Sequence, residues 1–139
     1  MVPEFEYIVP SGLSEACDFL KNHGSDTKII AGGTDLVLSL RRGEVKPQFL
    51  LDISALEELR QIEDVGDQIR VGAACTHTQI TESETLKKYG GILSEASGWV
   101  ASRQIRNLGT IGGNVVNGSP AADTLPALMV LNARLKIVS

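Results

Sequence analysis

Apolar residues recur at Leu13, Ala16, Cys17, Phe19 and Leu20, a three-and-four spacing that gives one helix face and predicts a helix over Leu13 to His23. Ser11 or Gly12 can cap its start, and Gly24 can stop it. A short β-branched run, Lys28-Ile29-Ile30-Ala31, follows and is cut off by Gly32-Gly33. Thr34-Asp35 then open a second helically spaced stretch, Leu36 to Leu40, so this segment reads as strand, glycine turn, helix. After Lys46-Pro47 comes another strand, Phe49 to Ile53. Helix, strand, helix, strand in succession predicts a small parallel α/β unit, because parallel neighbours need a crossover between them.

The texture changes near Leu59. Ile62 to Val65 and Gln68 to Gly72 read as two short strands joined through Gly66-Asp67, a turn pair suited to a hairpin. Thr76 to Tyr89 and Ile92 to Ala101 have helical spacing, separated at Gly90-Gly91. Beyond the glycine-rich Asn107 to Asn114, Ala122 to Leu131 reads as a helix and Arg134 to Val138 as a strand. The expected organisation is an N-terminal α/β subdomain over residues 1–58 and a second, α+β subdomain over residues 59–139. No internal repeat or low-complexity stretch interrupts either.

Two segments, Ala31-Gly32-Gly33-Thr34-Asp35-Leu36 and Thr110-Ile111-Gly112-Gly113-Asn114, each place paired glycines beside small hydroxyl or amide residues. Glycine lacks Cβ, so backbone N–H groups there can approach an anion closely. A helix start adds free N–H groups and the favourable end of its dipole. Hydrogen bonds to a charged group contribute about 1.5–3 kcal/mol each, so four or five could anchor a pyrophosphate without lysine. Either loop alone reads more readily as a tight turn than as a phosphate site; two matching loops favour phosphate binding. Neither is a GxGxxG fingerprint or a GxxxxGK[ST] loop, so a dinucleotide fold other than the Rossmann or P-loop type is indicated.

Charge sharpens this reading. The chain of 139 residues has a formal net charge of −4, which is not the footprint of a nucleic-acid binder and leaves phosphate to be held locally. No apolar run is long enough to cross a membrane, and the acidic Pro3-Glu4-Phe5-Glu6 start is unlike a secretory signal, so a cytoplasmic protein without membrane insertion is expected. Cys17 and Cys75 have no metal-binding spacing, which excludes an iron–sulfur cluster held by this chain alone, and both are expected to be reduced, buried thiols. His23 and His77 lie in no triad or metal spacing and are expected to be surface or packing residues.

The chain resembles the FAD-binding subunits and domains of the xanthine dehydrogenase and carbon monoxide dehydrogenase group, the molybdopterin dehydrogenase FAD-binding domains. The residues that carry the resemblance are Phe5-Glu6-Tyr7-Ile8-Val9-Pro10, then Ala31-Gly32-Gly33-Thr34-Asp35-Leu36. Above all they are Arg106-Asn107-Leu108-Gly109-Thr110-Ile111-Gly112-Gly113-Asn114, with Ser119-Pro120-Ala121-Ala122-Asp123 after it. The resemblance implies a PCMH-like α+β fold of two subdomains with FAD between them. Ile29, Ile30, Ala31, Gly32, Gly33, Thr34, Asp35 and Leu36 would form one wall; Thr110, Ile111, Gly112, Gly113 and Asn114 would form the other. Asp123 would contact the ribose or a nearby polar part of FAD, although the same residue could instead be the N-cap of the helix that follows. The Val100-Ala101 region would lie close to the cofactor.

The resemblance further implies an electron-transfer role. A molybdopterin-binding large subunit and a small subunit with two [2Fe–2S] clusters would be the partners, and electrons would pass through FAD on this chain to an acceptor. No catalytic acid, base or nucleophile is then required of this chain, since the flavin carries the redox chemistry. The family's pattern continues well past Leu135-Lys136-Ile137-Val138, so the second subdomain is expected to be incomplete over residues 59–139. A stand-alone flavin oxidoreductase of the same fold and a non-catalytic assembly module are the alternatives. Arg103 and Arg106 could touch phosphate or an acidic partner, with solvated or structural roles preferred, and no function is assigned to Arg41-Arg42.

Overall fold

The computed structural model describes residues 3–139. Their elements run β1 (Glu6–Ile8), α1 (Leu13–His23), β2 (Thr27–Ile30), α2 (Leu36–Arg42), β3 (Phe49–Asp52), β4 (Ile62–Asp64), β5 (Ile69–Val71), α3 (His77–Glu82) and α4 (Glu84–Tyr89). They continue with α5 (Gly91–Trp99), α6 (Arg103–Arg106), α7 (Ile111–Asn117) and α8 (Thr124–Val130). Helices and strands together give the expected α+β class. None of the described helices is long and apolar enough to cross a membrane.

The first three strands form one parallel sheet in the order β1-β3-β2, with Tyr7 opposite Leu50 and Ile29 opposite Leu51. β3 is central because its apolar residues are consecutive: Leu50 and Leu51 point to opposite faces and both are buried, the pattern of a strand covered on both sides. α1 supplies one cover, its Ala16 packing with Leu51 and Leu56, while Ile8, Leu13, Phe19 and Leu20 fill in around them. α2 ends where Gly43 takes φ 70°, its N–H donating to the Leu40 carbonyl at 3.1 Å, a left-handed helix stop. β4 and β5 form the expected antiparallel hairpin around Gly66.

A second core lies in the later elements. Cys75, Ile80, Leu86, Leu93, Ile111 and Ala127 are buried together, with Ile62, Ile69 and Val71 of the hairpin against them. His77 belongs to this region and is 2% exposed. Its ring packs against Gly109, and its backbone N–H donates to the Gly109 carbonyl at 3.0 Å. Burial, and then the positive charge of Arg106, hold the imidazole below its ordinary value of 6.5. His23 instead stacks with Phe19 and Phe49, at ring separations of 4.8 and 5.0 Å.

Several expectations need correction. The helix expected over Thr76 to Tyr89 is two helices, broken at Ser83, which takes an extended backbone and caps the second by accepting from the Leu86 N–H. A serine hydroxyl competes with the helix for backbone donors, so it favours a restart over continuation. The strand expected over Arg134 to Val138 is irregular and exposed. Its alternating pattern is that of a strand, but among the described residues no neighbour offers it a ladder, and an unpartnered strand has no means of satisfying its backbone except water. β1, which the periodicity left unassigned, is a strand because β3 pairs with it. Cys75 is buried as expected, whereas Cys17 is only half-buried; both are free thiols.

Two measurements probe this architecture. Leu51→Ala, at a site 0% exposed in the central strand, should cost about 2–5 kcal/mol in a denaturant titration. For His77 the folded chain holds its proton more weakly than the unfolded chain. Its contribution to stability is therefore complete above about pH 6.5 and is lost as pH falls through the lowered folded value. His77→Gln should flatten the fall in stability between about pH 7 and 5; an unchanged slope would assign that titration to other groups.

Candidate functional site

β2 and β3 are adjacent and parallel, so the chain leaves both of them at the same edge of the sheet. In open parallel sheets that edge is where ligands bind. Here it carries Ala31 and Gly32 after β2, and Ser54 and Ala55 after β3. Facing them from the second half of the chain are Arg60, Ala74, Thr76, Asn107, Leu108 and Thr110, and between the two sets lies an open cleft of about 340 Å³. Its lining residues are small or polar except for Leu108 and Arg60, and Arg60 is its one charged group.

The first glycine segment meets the Leu108-Gly109 backbone, just ahead of the second, beside this cleft. A Cβ on Gly32 would lie 1.9 Å from the Leu108 carbonyl oxygen and 3.0 Å from the Gly109 Cα. Only a residue with no side chain allows the backbones so close. The next residue, Gly33, takes φ 70°, which turns the chain from β2 into α2. Thr34 completes the contact, its hydroxyl oxygen lying 3.6 Å from where a Cβ on Gly109 would stand.

Backbone donors distinguish the two segments. Among the described residues, the N–H groups of Gly32, Gly33, Thr34, Asp35 and Leu36 donate to no protein acceptor, so this turn keeps its donors free. The second segment has spent its own. Ile111 donates to Cys75, Gly112 to Ala73 at 2.9 Å, Gly113 to the Thr110 hydroxyl at 3.1 Å and Asn114 to the Thr110 carbonyl. Thr110 is the N-cap of α7, and the glycines lie inside that helix rather than in a loop. Gly112 is needed for another reason: a Cβ there would come within 2.7 Å of Ala73. The Thr76–Thr110 bridge and these bonds hold the segment against residues 73–77 as a rigid wall.

Of the residues expected at the site, Ala31, Gly32 and Thr110 line the cleft. Gly33, Thr34, Asp35 and Leu36 form the turn behind it, while Ile29 and Ile30 belong to β2. Ile111, Gly112, Gly113 and Asn114 form the first turn of α7, where Asn114 accepts a hydrogen bond from the Thr124 hydroxyl of α8. Asp123 occupies the N-cap position of α8, but with helical backbone and no capping bond from its side chain, and it is exposed. A carboxylate there is free for another partner. Ala101 is exposed, at φ 39°, in the turn between α5 and α6.

Sequence reasoning did not single out Ser54, Ala55, Arg60, Ala74 or Thr76, and it quoted Asn107 and Leu108 as part of the motif that carries the resemblance without placing them at the site. Ser54 and Ala55 carried a usable signal, since they follow a parallel strand at its carboxyl end. The rest reach the cleft only through the fold.

One further feature borders the site. The Arg106 guanidinium, half-buried, donates from Nη1 to the Val100 and Ala101 carbonyls, both at 3.0 Å. Left-handed backbone at a non-glycine costs about 1–2 kcal/mol, and hydrogen bonds from a charged donor contribute about 1.5–3 kcal/mol each, so the pair outweighs the strain.

A diphosphate suits this arrangement. The cleft volume lies at the lower end of the range for small-ligand pockets, and the donors on its lining include the free Gly32 N–H and the Arg60 guanidinium, with the free N–H groups of Gly33 to Leu36 in the turn behind. The comparisons with known proteins point the same way. Residues 3–139 match the family described as FAD binding domain in molybdopterin dehydrogenase. The chain is 39% identical over 131 residues to the 6-hydroxypseudooxynicotine dehydrogenase complex subunit alpha of Paenarthrobacter nicotinovorans, covering 94% of this chain and 44% of that protein. It is 36% identical to the carbon monoxide dehydrogenase medium chain of Hydrogenophaga pseudoflava, covering 92% and 44%.

Among solved structures, carbon monoxide dehydrogenase from Oligotropha carboxidovorans superposes with a TM-score of 0.87 at 35% identity, covering 93% of this chain and 45% of that one. Quinoline 2-oxidoreductase from Pseudomonas putida 86 gives 0.85 at 32% identity, covering 89% and 43%. The chain thus spans less than half the length of these relatives. Its fold is the PCMH-like α+β fold of these flavin subunits. Its match over residues 3–139 and its likeness to several dehydrogenase subunits make the chain a member of the molybdopterin dehydrogenase FAD-binding domain family.

Proposed function

We propose that this chain binds FAD in the cleft beyond β2 and β3 and serves as the electron-transfer flavin component of a molybdenum hydroxylase. The observation that carries the reading is the backbone contact of Gly32 with Leu108, which sets the turn that bears the free N–H groups beside a polar cleft whose second wall is tied down by hydrogen bonds. The N–H groups of Gly32 to Leu36 would hold the pyrophosphate, and Arg60 would offset its charge. Thr110, held by its bond from Gly113, would present its hydroxyl hydrogen, and Asp123 would reach the ribose or a neighbouring polar part. Ala101 would stand near the cofactor, with Ile111 to Asn114 keeping the second wall in place.

Bound FAD would supply the redox chemistry, accepting electrons from partner clusters and passing them to an acceptor. The chain's own residues bind and orient. No side chain in the cleft is arranged as a nucleophile or a general base, and His77, the one buried imidazole, is kept neutral by burial and by Arg106. The names of the relatives, subunit alpha of a dehydrogenase complex and a medium chain, support assembly with a molybdopterin-binding large subunit and a [2Fe–2S] small subunit. A cytoplasmic location fits the free thiols. Residues 1–58 and 59–139 would be the two flavin-binding subdomains, a division supported by the change of core between Leu59 and Ile62.

Titration of the purified chain with FAD, followed by flavin absorbance and calorimetry, tests the reading; saturable uptake is expected, and none at high micromolar FAD would refute it. Gly32→Ala should reduce affinity on the order of tenfold or more, because its Cβ must push back the Leu108 carbonyl. Arg60→Gln, at an exposed site that leaves the core untouched, should reduce affinity less and make it less sensitive to salt. Asp123→Ala should lower affinity while leaving the melting temperature within a few degrees, since its side chain caps nothing.

A further inference from the structure

The turn between α5 and α6 is strained, and the strain is held by one side chain. Ala101 has φ 39° although it is not glycine, and it is exposed, so no packing forces it there. Arg106 lies five residues on, at the last position of α6, and folds back across that helix. Its Nη1 donates to both carbonyls of the turn, Val100 and Ala101, at 3.0 Å. Ser102 caps the start of α6 by accepting from the Ile105 N–H, and at the other end the Thr78 hydroxyl donates to Asn107 at 2.6 Å. The chain then enters Leu108-Gly109, the stretch that lies against Gly32.

We propose that Arg106 is a positioning residue for the flavin site, acting through Leu108 and Gly109 rather than by touching the cofactor. By tying the end of α6 to the turn that begins it, the guanidinium makes α6 a closed rigid loop. The placement of the Leu108 carbonyl against Gly32, and with it the width of the cleft, follows from that closure. Arg106 also lines a second cavity of about 280 Å³ with Thr78, Thr81, Glu82, Gly98 and Arg103, so its outer face has space in which to relax once the clamp is lost. A lysine Nζ, with three donors, can serve both carbonyls as the single Nη1 does, but on a shorter stem and without the planar guanidinium that orients it. This proposal rests on the reading that FAD occupies the cleft.

The test is FAD affinity and melting temperature for the wild-type chain, Arg106→Met, Arg106→Lys, Ala101→Gly and the double variant Arg106→Met with Ala101→Gly. Arg106→Met should weaken FAD binding on the order of tenfold, and Arg106→Lys should fall between it and wild type. Ala101→Gly alone supplies the reference affinity against which the double variant is read. Glycine adopts φ 39° without restraint, so the loss caused by Arg106→Met should be smaller in the Ala101→Gly background. A merely structural arginine would lower melting temperature while leaving the affinity of the folded protein unchanged, or would give additive effects with Ala101; either result overturns the proposal while wild-type uptake upholds the flavin site. Should Arg106→Met fail to fold, the cycle built on Arg106→Lys decides by the same criterion. A wild-type chain that takes up no FAD overturns the flavin site itself, and this proposal with it.

Discussion

The Leu108 carbonyl occupies the space where a side chain on residue 32 would begin, at 1.9 Å from that position. Two chain segments nearly eighty residues apart can touch there only because one of them has no Cβ, and much else in the molecule follows from that contact. It fixes the distance between the carboxyl edge of the parallel sheet and the later helices. It leaves Ala31 and Gly32 of the turn after β2 lining a cleft, and the N–H groups from Gly32 to Leu36 without a protein acceptor among the described residues. It also requires the Leu108-Gly109 backbone to be stiff. Stiffness is supplied on one side by the bonds of residues 109–112 to residues 73–77, and on the other by the Arg106 clamp. A loose second segment would let the contact open; a bulkier first one would prevent it.

The parallel unit was legible because its signals are local and strong. The apolar stripe from Leu13 to Leu20 between Gly12 and Gly24 fixes α1 to the residue, and the abrupt Gly32-Gly33 after a β-branched run marks the turn from β2 to α2. The consecutive leucines of β3 show a strand buried on both faces. Less visible were features set by partners distant in sequence. β1 is three residues long and has no signal until β3 lies beside it, whereas Arg134 to Val138 has a clear strand pattern and no neighbour among the described residues. Alternation states a readiness to pair, and pairing itself is tertiary. Ser83 misled for a different reason, since a serine inside a periodic stretch can extend a helix or restart one, and only its hydrogen bond to Leu86 tells which.

At the site, the two glycine segments stood out in the sequence as a matching pair, and the structure makes them unlike. The first is an open turn with free donors. The second is a helix start whose donors are already spent, its glycines serving close packing against Ala73 and Thr110. Identical glycine pairs gave no means of telling a cradle from a packing surface, because glycine is required for both and the distinction lies in which carbonyls happen to be near. Arg60 was invisible for a related reason: nothing around it in the chain suggests a ligand, and it joins the cleft only through the turn that leads into the hairpin.

An acidic chain proposed to hold a diphosphate faces an apparent conflict, since a net charge of −4 should repel it. Range resolves the conflict. Exposed carboxylates more than a Debye length away, about 8–10 Å at physiological salt, are largely screened, whereas N–H dipoles and a guanidinium at hydrogen-bonding distance are not. The cleft lining contains no carboxylate, and among the residues with free N–H groups only Asp35, which is exposed, carries one. Local donors would therefore set the affinity, and the distant charge would set little beyond the rate of encounter. The same separation leaves the rest of the surface free to be acidic. A binding site made of backbone geometry would constrain only the few residues that hold that geometry, here Gly32, Gly33, Gly109 and the side chains that keep them apart by the right distance.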